Sequence, residues 1–200
     1  LAERVHTVAI TYPKQLHADA QKSKSRFLFA QAAIGYELYL AEFPKRPEAE
    51  EVRFLLGEIQ YEQAKYDEAR KVFWAITDRD KERKGKNFAK AAQYLLSASY
   101  IPIEDKMRAI RARGAKIGES EKPIDPALLE YLKVCDKVTE WFPSSPSVRD
   151  CELDSAEIFL KHNYYAKAEE GLWKIAKKYP KGKEGRDAAG LLLFLASKDP

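Results

Sequence analysis

The stretch FPKRPEAEEVRFLLGEIQYEQAKYDEARKVFWAI, residues 43–76, carries the pattern that decides the fold. Apolar side chains recur in it at helical spacing, and glutamates occupy the opposite side of the first periodic segment. The apolar positions are Phe54, Leu55, Ile59 and Tyr61, followed by Tyr66, Ala69 and Phe73. We predict two amphipathic helices here, joined by a tight turn.

Gly57 lies in the middle of the first of these helices. A glycine inside a helix costs about 1 kcal/mol relative to alanine. We expect this cost to be offset by the close approach of the second helix, which a β-carbon at position 57 would obstruct.

The order Leu56-Gly57, Tyr66, Ala69, Phe73 resembles the tetratricopeptide repeat. That repeat is a pair of antiparallel helices with small residues where they cross and large residues at the contact with the next repeat. The resemblance covers most of the chain. It implies an all-α fold, a right-handed α-solenoid of antiparallel helix pairs.

Two further features recur along the chain. An aromatic residue precedes proline at Tyr12-Pro13, Phe43-Pro44, Phe142-Pro143 and Tyr179-Pro180. Because proline stops a helix, each of these pairs predicts a boundary between helix pairs. Ala32 and Ala69 are 37 residues apart, as are Tyr131 and Ala168, which is slightly longer than the tetratricopeptide period of about 34.

These features predict one continuous array over residues 1–200. Its parts are the closing helix of a preceding repeat (1–11), repeat 1 (14–44), repeat 2 (48–80), repeat 3 (87–143), repeat 4 (147–180) and a capping or truncated helix (183–197). We interpret 101–124 as an insertion within repeat 3, with a short helix from Glu104 to Arg113. Alternatively, this segment is a repeat helix and the count shifts by one. Asp125 as N-cap and Pro126 as first helical residue predict where repeat 3 resumes.

The composition limits the classes of function. A formal net charge of +4, from 35 basic and 31 acidic residues, is too small to indicate binding to nucleic acid. No apolar run approaches the roughly 18 residues that a transmembrane helix needs. The chain starts at Leu1 without a methionine or a signal-like segment, so we expect it to be a piece of a longer protein.

The sequence offers no pattern of catalytic or metal-binding residues. His6, His17 and His162 lie far apart and lack the i, i+4 spacing of zinc-binding helices, which favours surface or packing roles. Neither a phosphate-binding glycine loop nor a GxSxG motif occurs. We therefore expect no enzymatic activity, no metal and no cofactor.

Cys135 and Cys151 lie eight residues before and eight residues after Pro143. Across an antiparallel helix hairpin that turns at 143–146, the two side chains would lie at the same level. Two interpretations stay open: a pair of small buried thiols, or a disulfide that joins repeats 3 and 4 in an oxidising compartment.

In tetratricopeptide arrays the first helix of each pair lines a concave face, so the resemblance also implies a binding surface. Alignment of the repeats places ten candidate partner-binding residues there: Glu51, Phe54, Glu58, Tyr61, Lys90, Gln93, Ser97, Tyr100, Glu157 and Leu160. Carboxylates over an aromatic or aliphatic floor favour a basic or amphipathic peptide or protein segment as the partner.

The resemblance implies a protein-interaction scaffold without enzymatic activity, acting alone or in a larger complex. One alternative is a module of a larger enzyme or of an envelope or motility machine. Another is a binder of nucleic acid or membrane surfaces that uses Arg108, Arg111 and Arg113. The Phe-Pro turns are similar to those of repeat proteins of the bacterial cell envelope. This similarity implies a location in the periplasm or at the outer membrane, with the cytoplasm as the alternative.

Overall fold

A computed structural model of the chain describes residues 2–80, 82–112 and 120–197. These residues are mostly α-helical, and no β-strand occurs among them. The packing divides the chain into two compact units, Leu1–Ser99 and Tyr100–Pro200. The all-α prediction is confirmed.

Consecutive helices pack on one another in unit 1. The helices are α1 (Ala2–Ser23), α2 (Arg26–Glu42), α3 (Ala49–Glu62), α4 (Tyr66–Arg79) and α5 (Phe88–Tyr100), whose last residue belongs to unit 2. Short turns join α1 to α2 and α3 to α4, which makes each pair an antiparallel hairpin. The hydroxyl of Ser25 caps α2 by accepting a hydrogen bond from the backbone N–H of Leu28.

The predicted helix end before Pro13 is wrong. α1 continues through Pro13 as a single helix of 22 residues that packs on α2. The proline ring is buried against Gly35, where an added β-carbon would lie 2.4 Å from Cγ of Pro13. Nearer the N-terminus, Nε2 of His6 is 2.9 Å from the hydroxyl of Tyr39. These contacts compensate for the backbone hydrogen bond that a proline removes. Residues 2–11 therefore belong to the first helix pair and do not close a preceding one.

The expected close approach at Gly57 is confirmed. A β-carbon there would lie 2.8 Å from Cζ of Phe73 and 3.1 Å from Cγ1 of Val72, both on α4. The alignment of α2 with α4 also agrees with the core, because the aligned positions are buried in both helices. They are Ala32, Tyr36 and Tyr39 in α2, and Ala69, Phe73 and Ile76 in α4.

Unit 2 continues the helical pattern after a short 3-10 helix, Ile101–Ile103. Its α-helices are α6 (Glu104–Ala112), α7 (Pro126–Trp141), α8 (Pro146–Lys161), α9 (Tyr165–Lys178) and α10 (Lys183–Ala196). From α7 to α10 each helix packs on the next. The predicted start of α7 is confirmed, because Oδ1 of Asp125 accepts a hydrogen bond from the N–H of Ala127 at 2.9 Å and Pro126 is the first helical residue.

α6 forms inside the segment interpreted as an insertion. Met107 on α6 is fully buried, and the helix contacts α8, the second helix after it in the chain. α8 and α10 make a contact of the same kind, so both interpretations of the segment, an insertion and a repeat helix, stay open. Arg113, the predicted last residue of the helix, lies outside the described residues.

The apolar run Leu191–Leu195 on α10 is partly covered. Leu191, Leu192 and Leu195 pack against the core that α8, α9 and α10 share, whereas Leu193 is 73% exposed. The neighbouring described helices therefore do not bury all five side chains.

Candidate binding site

An open cleft of about 300 Å³ lies between α3 and α5 in unit 1. Six side chains line it: Glu58, Tyr61, Lys90, Gln93, Tyr94 and Ser97. All except Tyr94 belong to the partner-binding set predicted from the repeat alignment. The structure thus brings five of the predicted residues together in one place.

Helix geometry explains this convergence. Lys90, Gln93 and Ser97 are spaced three and four residues apart on α5, so they share one face. Glu58 and Tyr61 are three residues apart on α3 and share a face in the same way. The cleft forms where these two faces meet.

Tyr94 joins the two helices at the floor of the cleft. Its ring stacks on Phe73 with 5.0 Å between centroids and meets the ring of Tyr61 at 74°, also at 5.0 Å. Its hydroxyl donates a hydrogen bond of 3.1 Å to Oε1 of Glu58. Tyr94 was not predicted from the sequence, although it lies three residues before Ser97 and therefore on the same face of α5.

Partial burial sets the electrostatics of Glu58. It raises the pKa of this carboxyl above its ordinary value, while the hydrogen bond from Tyr94 and the charge of Lys90 act in the opposite direction. The neighbouring Glu62 raises the pKa further. Burial and the charge of Glu58 raise the pKa of Tyr94 to about 12, so its hydroxyl stays protonated and able to donate. A partly dry carboxylate beside aromatic rings is suited to bind a cation.

Polar groups of α5 are available in the cleft. Within the described residues, the side chains of Gln93 and Ser97 make no hydrogen bond and Lys90 makes no ion pair. An amide donates and accepts, and so does a hydroxyl. These groups can therefore pair with the backbone or the polar side chains of a bound segment.

Three of the predicted residues have other roles. The side chains of Phe54 and Leu160 are each 5% exposed, so they support the core and offer no binding surface. Phe54 lies edge-on to Phe73, with 5.8 Å between ring centroids. Glu51 is exposed and pairs with Nζ of Lys14 at 3.0 Å.

The last two predicted residues, Tyr100 and Glu157, are held by Arg111 of α6. Nε of Arg111 donates to Oε2 of Glu157 at 3.1 Å, and Nη1 donates to the hydroxyl of Tyr100 at 3.4 Å. Nη2 donates to Asp154, a buried carboxylate that also accepts a hydrogen bond of 2.7 Å from the hydroxyl of Tyr131. In unit 2 the predicted binding surface is therefore occupied by a residue of the same chain.

This arrangement also changes the basic surface expected on α6. Arg111 is engaged by two carboxylates, and Arg108 pairs with Glu104 and Asp105 on its own helix. Arg113 lies outside the described residues. Both described arginines thus have carboxylate partners within the chain, and the alternative of a nucleic-acid or membrane-surface binder stays a prediction.

Cys135 and Cys151 are both buried, and each is a free cysteine in this structure. Burial raises the pKa of the Cys135 thiol. A disulfide between them stays a prediction. Mass spectrometry of protein that is alkylated without reduction, after isolation from its native source, distinguishes a bonded pair from two thiols.

A second open cleft, of about 460 Å³, lies at the N-terminal end of α3. Its carboxylates already have partners. Glu50 pairs with Arg53 at 2.6 Å and with Arg79 at 3.4 Å, and Glu51 pairs with Lys14. Because these charges satisfy one another, this cleft is less suited to recognise a charged partner than the cleft between α3 and α5.

Exposed apolar side chains on the first helix pair were not predicted from the sequence. They are Val5, Val8 and Tyr12 on α1, and Phe27, Ile34 and Leu38 on α2. Within each helix successive members are three, four or seven residues apart, and this spacing could have indicated from the sequence that they share one face. Exposed apolar residues that cluster mark contact surfaces in many proteins.

The described residues define an all-helical chain in which neighbouring helices pack in pairs and a polar cleft opens between α3 and α5. No protein-family model matches the chain, and no curated protein matches it significantly. Among the residues that the structure describes, no helix combines the length and the apolar character of a membrane span. The same residues contain no group of three or more His, Cys, Asp or Glu side chains placed to hold a metal ion.

Proposed function

We propose that this chain is a non-enzymatic protein-interaction scaffold that binds a peptide or protein segment in the cleft between α3 and α5. The proposal is carried by the convergence of a partly buried carboxylate, Glu58, with the available polar groups of Gln93 and Ser97. Burial of a carboxylate without a cation disfavours its ionised form. A cationic segment bound in the cleft would offset this cost, so a basic or amphipathic partner fits the site.

The dimensions of the cleft support a short recognition segment. A helix rises about 1.5 Å per residue, so the face from Lys90 to Ser97 extends over roughly 10 Å. This is the length of about three residues in an extended chain. Such a segment can pair its backbone with Gln93 and place its side chains against Tyr61 and Glu58.

We also propose that the helix pairs form a right-handed, tetratricopeptide-like solenoid. Support comes from the crossing of α3 and α4 at Gly57 and from the buried positions that α2 and α4 share. The similarity of the Phe-Pro turns to those of repeat proteins of the bacterial cell envelope is the basis for proposing a location in the bacterial periplasm or at the outer membrane.

Selection from a random peptide library tests the binding proposal. Peptides of roughly 15 residues are displayed on phage and selected on the immobilised full chain. The enriched peptides are then synthesised, and their dissociation constants are measured by fluorescence anisotropy.

Two matched variants locate the binding. Ser97→Trp fills the centre of the cleft and should weaken binding by about tenfold or more. Ser23→Trp adds the same bulk at an exposed position near the end of α1 and should leave affinity within about twofold of wild type. Absence of enrichment, or equal binding to wild type and to Ser97→Trp, would overturn the proposal.

A further inference from the structure

In unit 2 an arginine of the same chain contacts a carboxylate and a tyrosine that align with two residues of the open cleft in unit 1. In the repeat alignment, Glu157 holds the position of Glu58, and Tyr100 holds the position of Tyr61. In unit 2 the carboxylate and the tyrosine both receive hydrogen bonds from the guanidinium of Arg111, at 3.1 Å and 3.4 Å. In unit 2 a tyrosine and a carboxylate thus share one guanidinium, although they lie on different helices, α5 and α8, and Arg111 also contacts Asp154.

Among the residues of unit 1 that the structure describes, no arginine takes this place. Within the described residues, Glu58 forms no ion pair, and neither does Glu62 one turn further along α3. Lys90 influences Glu58 through its charge but makes no salt bridge with it. Two carboxylates on successive turns against one lysine leave this end of the cleft with an excess of negative charge.

We propose that the cleft between α3 and α5 recognises an arginine side chain of the bound segment, seated against the carboxylate of Glu58 and the ring of Tyr61. This inference rests on the proposed function and extends it by naming the residue that the site selects.

Geometry favours arginine over lysine at this place. A guanidinium is planar, presents its donors in a fixed fork and stacks on aromatic rings, whereas an ammonium is a compact, strongly hydrated charge. Arg111 uses three nitrogens to reach Glu157, Tyr100 and Asp154 at once. In the open cleft, the bond from Tyr94 to Oε1 of Glu58 fixes the carboxylate, so its remaining acceptor positions are oriented for such a fork.

Peptides in which the arginine is replaced, once with its charge kept and once with its shape kept, test the inference. The enriched peptides are resynthesised with arginine replaced by lysine, or by citrulline, which has a similar shape and no charge. Replacement by lysine should weaken binding to wild type by about tenfold, and replacement by citrulline by at least as much. The Glu58→Gln variant should bind the arginine and citrulline peptides with affinities within about threefold of each other. Glu68→Gln removes the same charge from an exposed position on α4 and should behave as wild type.

The outcomes separate this inference from the proposed function. Enriched peptides without arginine, an arginine-to-lysine change without effect, or a Glu58→Gln variant that weakens both peptides equally would each overturn the arginine site. If Ser97→Trp still blocks those peptides, the proposed function stands. If Ser97→Trp leaves their binding unchanged, the proposed function fails and the arginine site fails with it.

Discussion

The hydroxyl of Tyr94 on α5 donates a hydrogen bond of 3.1 Å to the carboxylate of Glu58 on α3. The ring of Tyr94 lies within 6 Å, centroid to centroid, of the rings of Phe54, Tyr61 and Phe73. The carboxylate is therefore fixed above an aromatic floor, where partial burial disfavours its charge. Because its charge is disfavoured, this carboxylate lowers stability unless a cation offsets its burial.

Glu58→Gln should stabilise unit 1 at neutral pH. The pKa of Glu58 in the folded protein lies above its ordinary value of 4.5. Its contribution to stability is therefore present below about pH 4.5 and is lost as the pH rises through the folded pKa. Glutamine keeps an acceptor for the hydroxyl of Tyr94. Because it does not ionise, it also avoids the loss of stability that Glu58 causes as the pH rises. Urea unfolding near pH 4 and near pH 7 should show that the advantage of the variant over wild type is larger at the higher pH. A variant less stable than wild type near pH 7 would contradict this.

Protonation of His17 should destabilise the first helix pair. Burial lowers the pKa of His17 below its ordinary value of 6.5, and Nδ1 lies 3.3 Å from the hydroxyl of Tyr36. Because the unfolded chain binds this proton more readily, stability should be complete above about pH 6.5 and fall as the pH drops through the folded pKa. Thermal unfolding from about pH 7.5 to pH 5 measures the slope, which His17→Gln should reduce. An NMR titration that places the pKa of His17 at or above 6.5 would rule out this explanation.

Two helix glycines should respond to alanine with opposite signs. At Gly57 the new β-carbon would lie 2.8 Å from the ring of Phe73, so Gly57→Ala should cost about 1–3 kcal/mol despite the better helix propensity of alanine. At Gly190 no atom lies within 4 Å of the new β-carbon, so Gly190→Ala should stabilise by up to about 1 kcal/mol. Chemical unfolding of both variants gives the comparison. A gain of stability from alanine at Gly57 as well would show that the crossing there is not tight.

Arg111→Ala should destabilise unit 2, because buried Asp154 and half-buried Glu157 lose their cation. Removing one partner of a fully buried ion pair costs about 3–5 kcal/mol. Because the side chain of Arg111 is 44% exposed, we expect a smaller loss, of about 1–3 kcal/mol. Arg108→Ala is the matched control: its side chain is 71% exposed, and the change should stay within about 0.5 kcal/mol. Hydrogen exchange of the α8 amides should become faster in Arg111→Ala but not in Arg108→Ala. Equal effects of the two substitutions would contradict the stabilising role of Arg111.

The repeat alignment located five residues of the cleft because helix period and repeat period are both local properties of a sequence. It also placed Phe54 and Leu160 on the binding surface. Both are buried, since the alignment identifies the face of a helix but not how far the neighbouring helices cover it. Tyr94 was missed for a related reason, because its role depends on ring contacts with residues from two other helices.

Two other differences arise from long-range packing. The rule that proline ends a helix failed at Pro13, where close contact with Gly35 on α2 holds the chain helical. The position of Arg111 depends on where α6 docks, and no local pattern encodes the contact between α6 and α8. By contrast, the start of α7 at Asp125-Pro126 was predictable because its cap uses only neighbouring residues.

The most direct measurement of the central claim is the footprint of a selected peptide on the isotopically labelled full chain, recorded from amide chemical shifts by NMR. We predict that the largest changes fall on residues 58–62 of α3 and 90–97 of α5, and that Ser97→Trp strongly reduces them at the same peptide concentration. A footprint centred instead on the exposed apolar residues of α1 and α2, or on unit 2, would contradict binding in the cleft between α3 and α5.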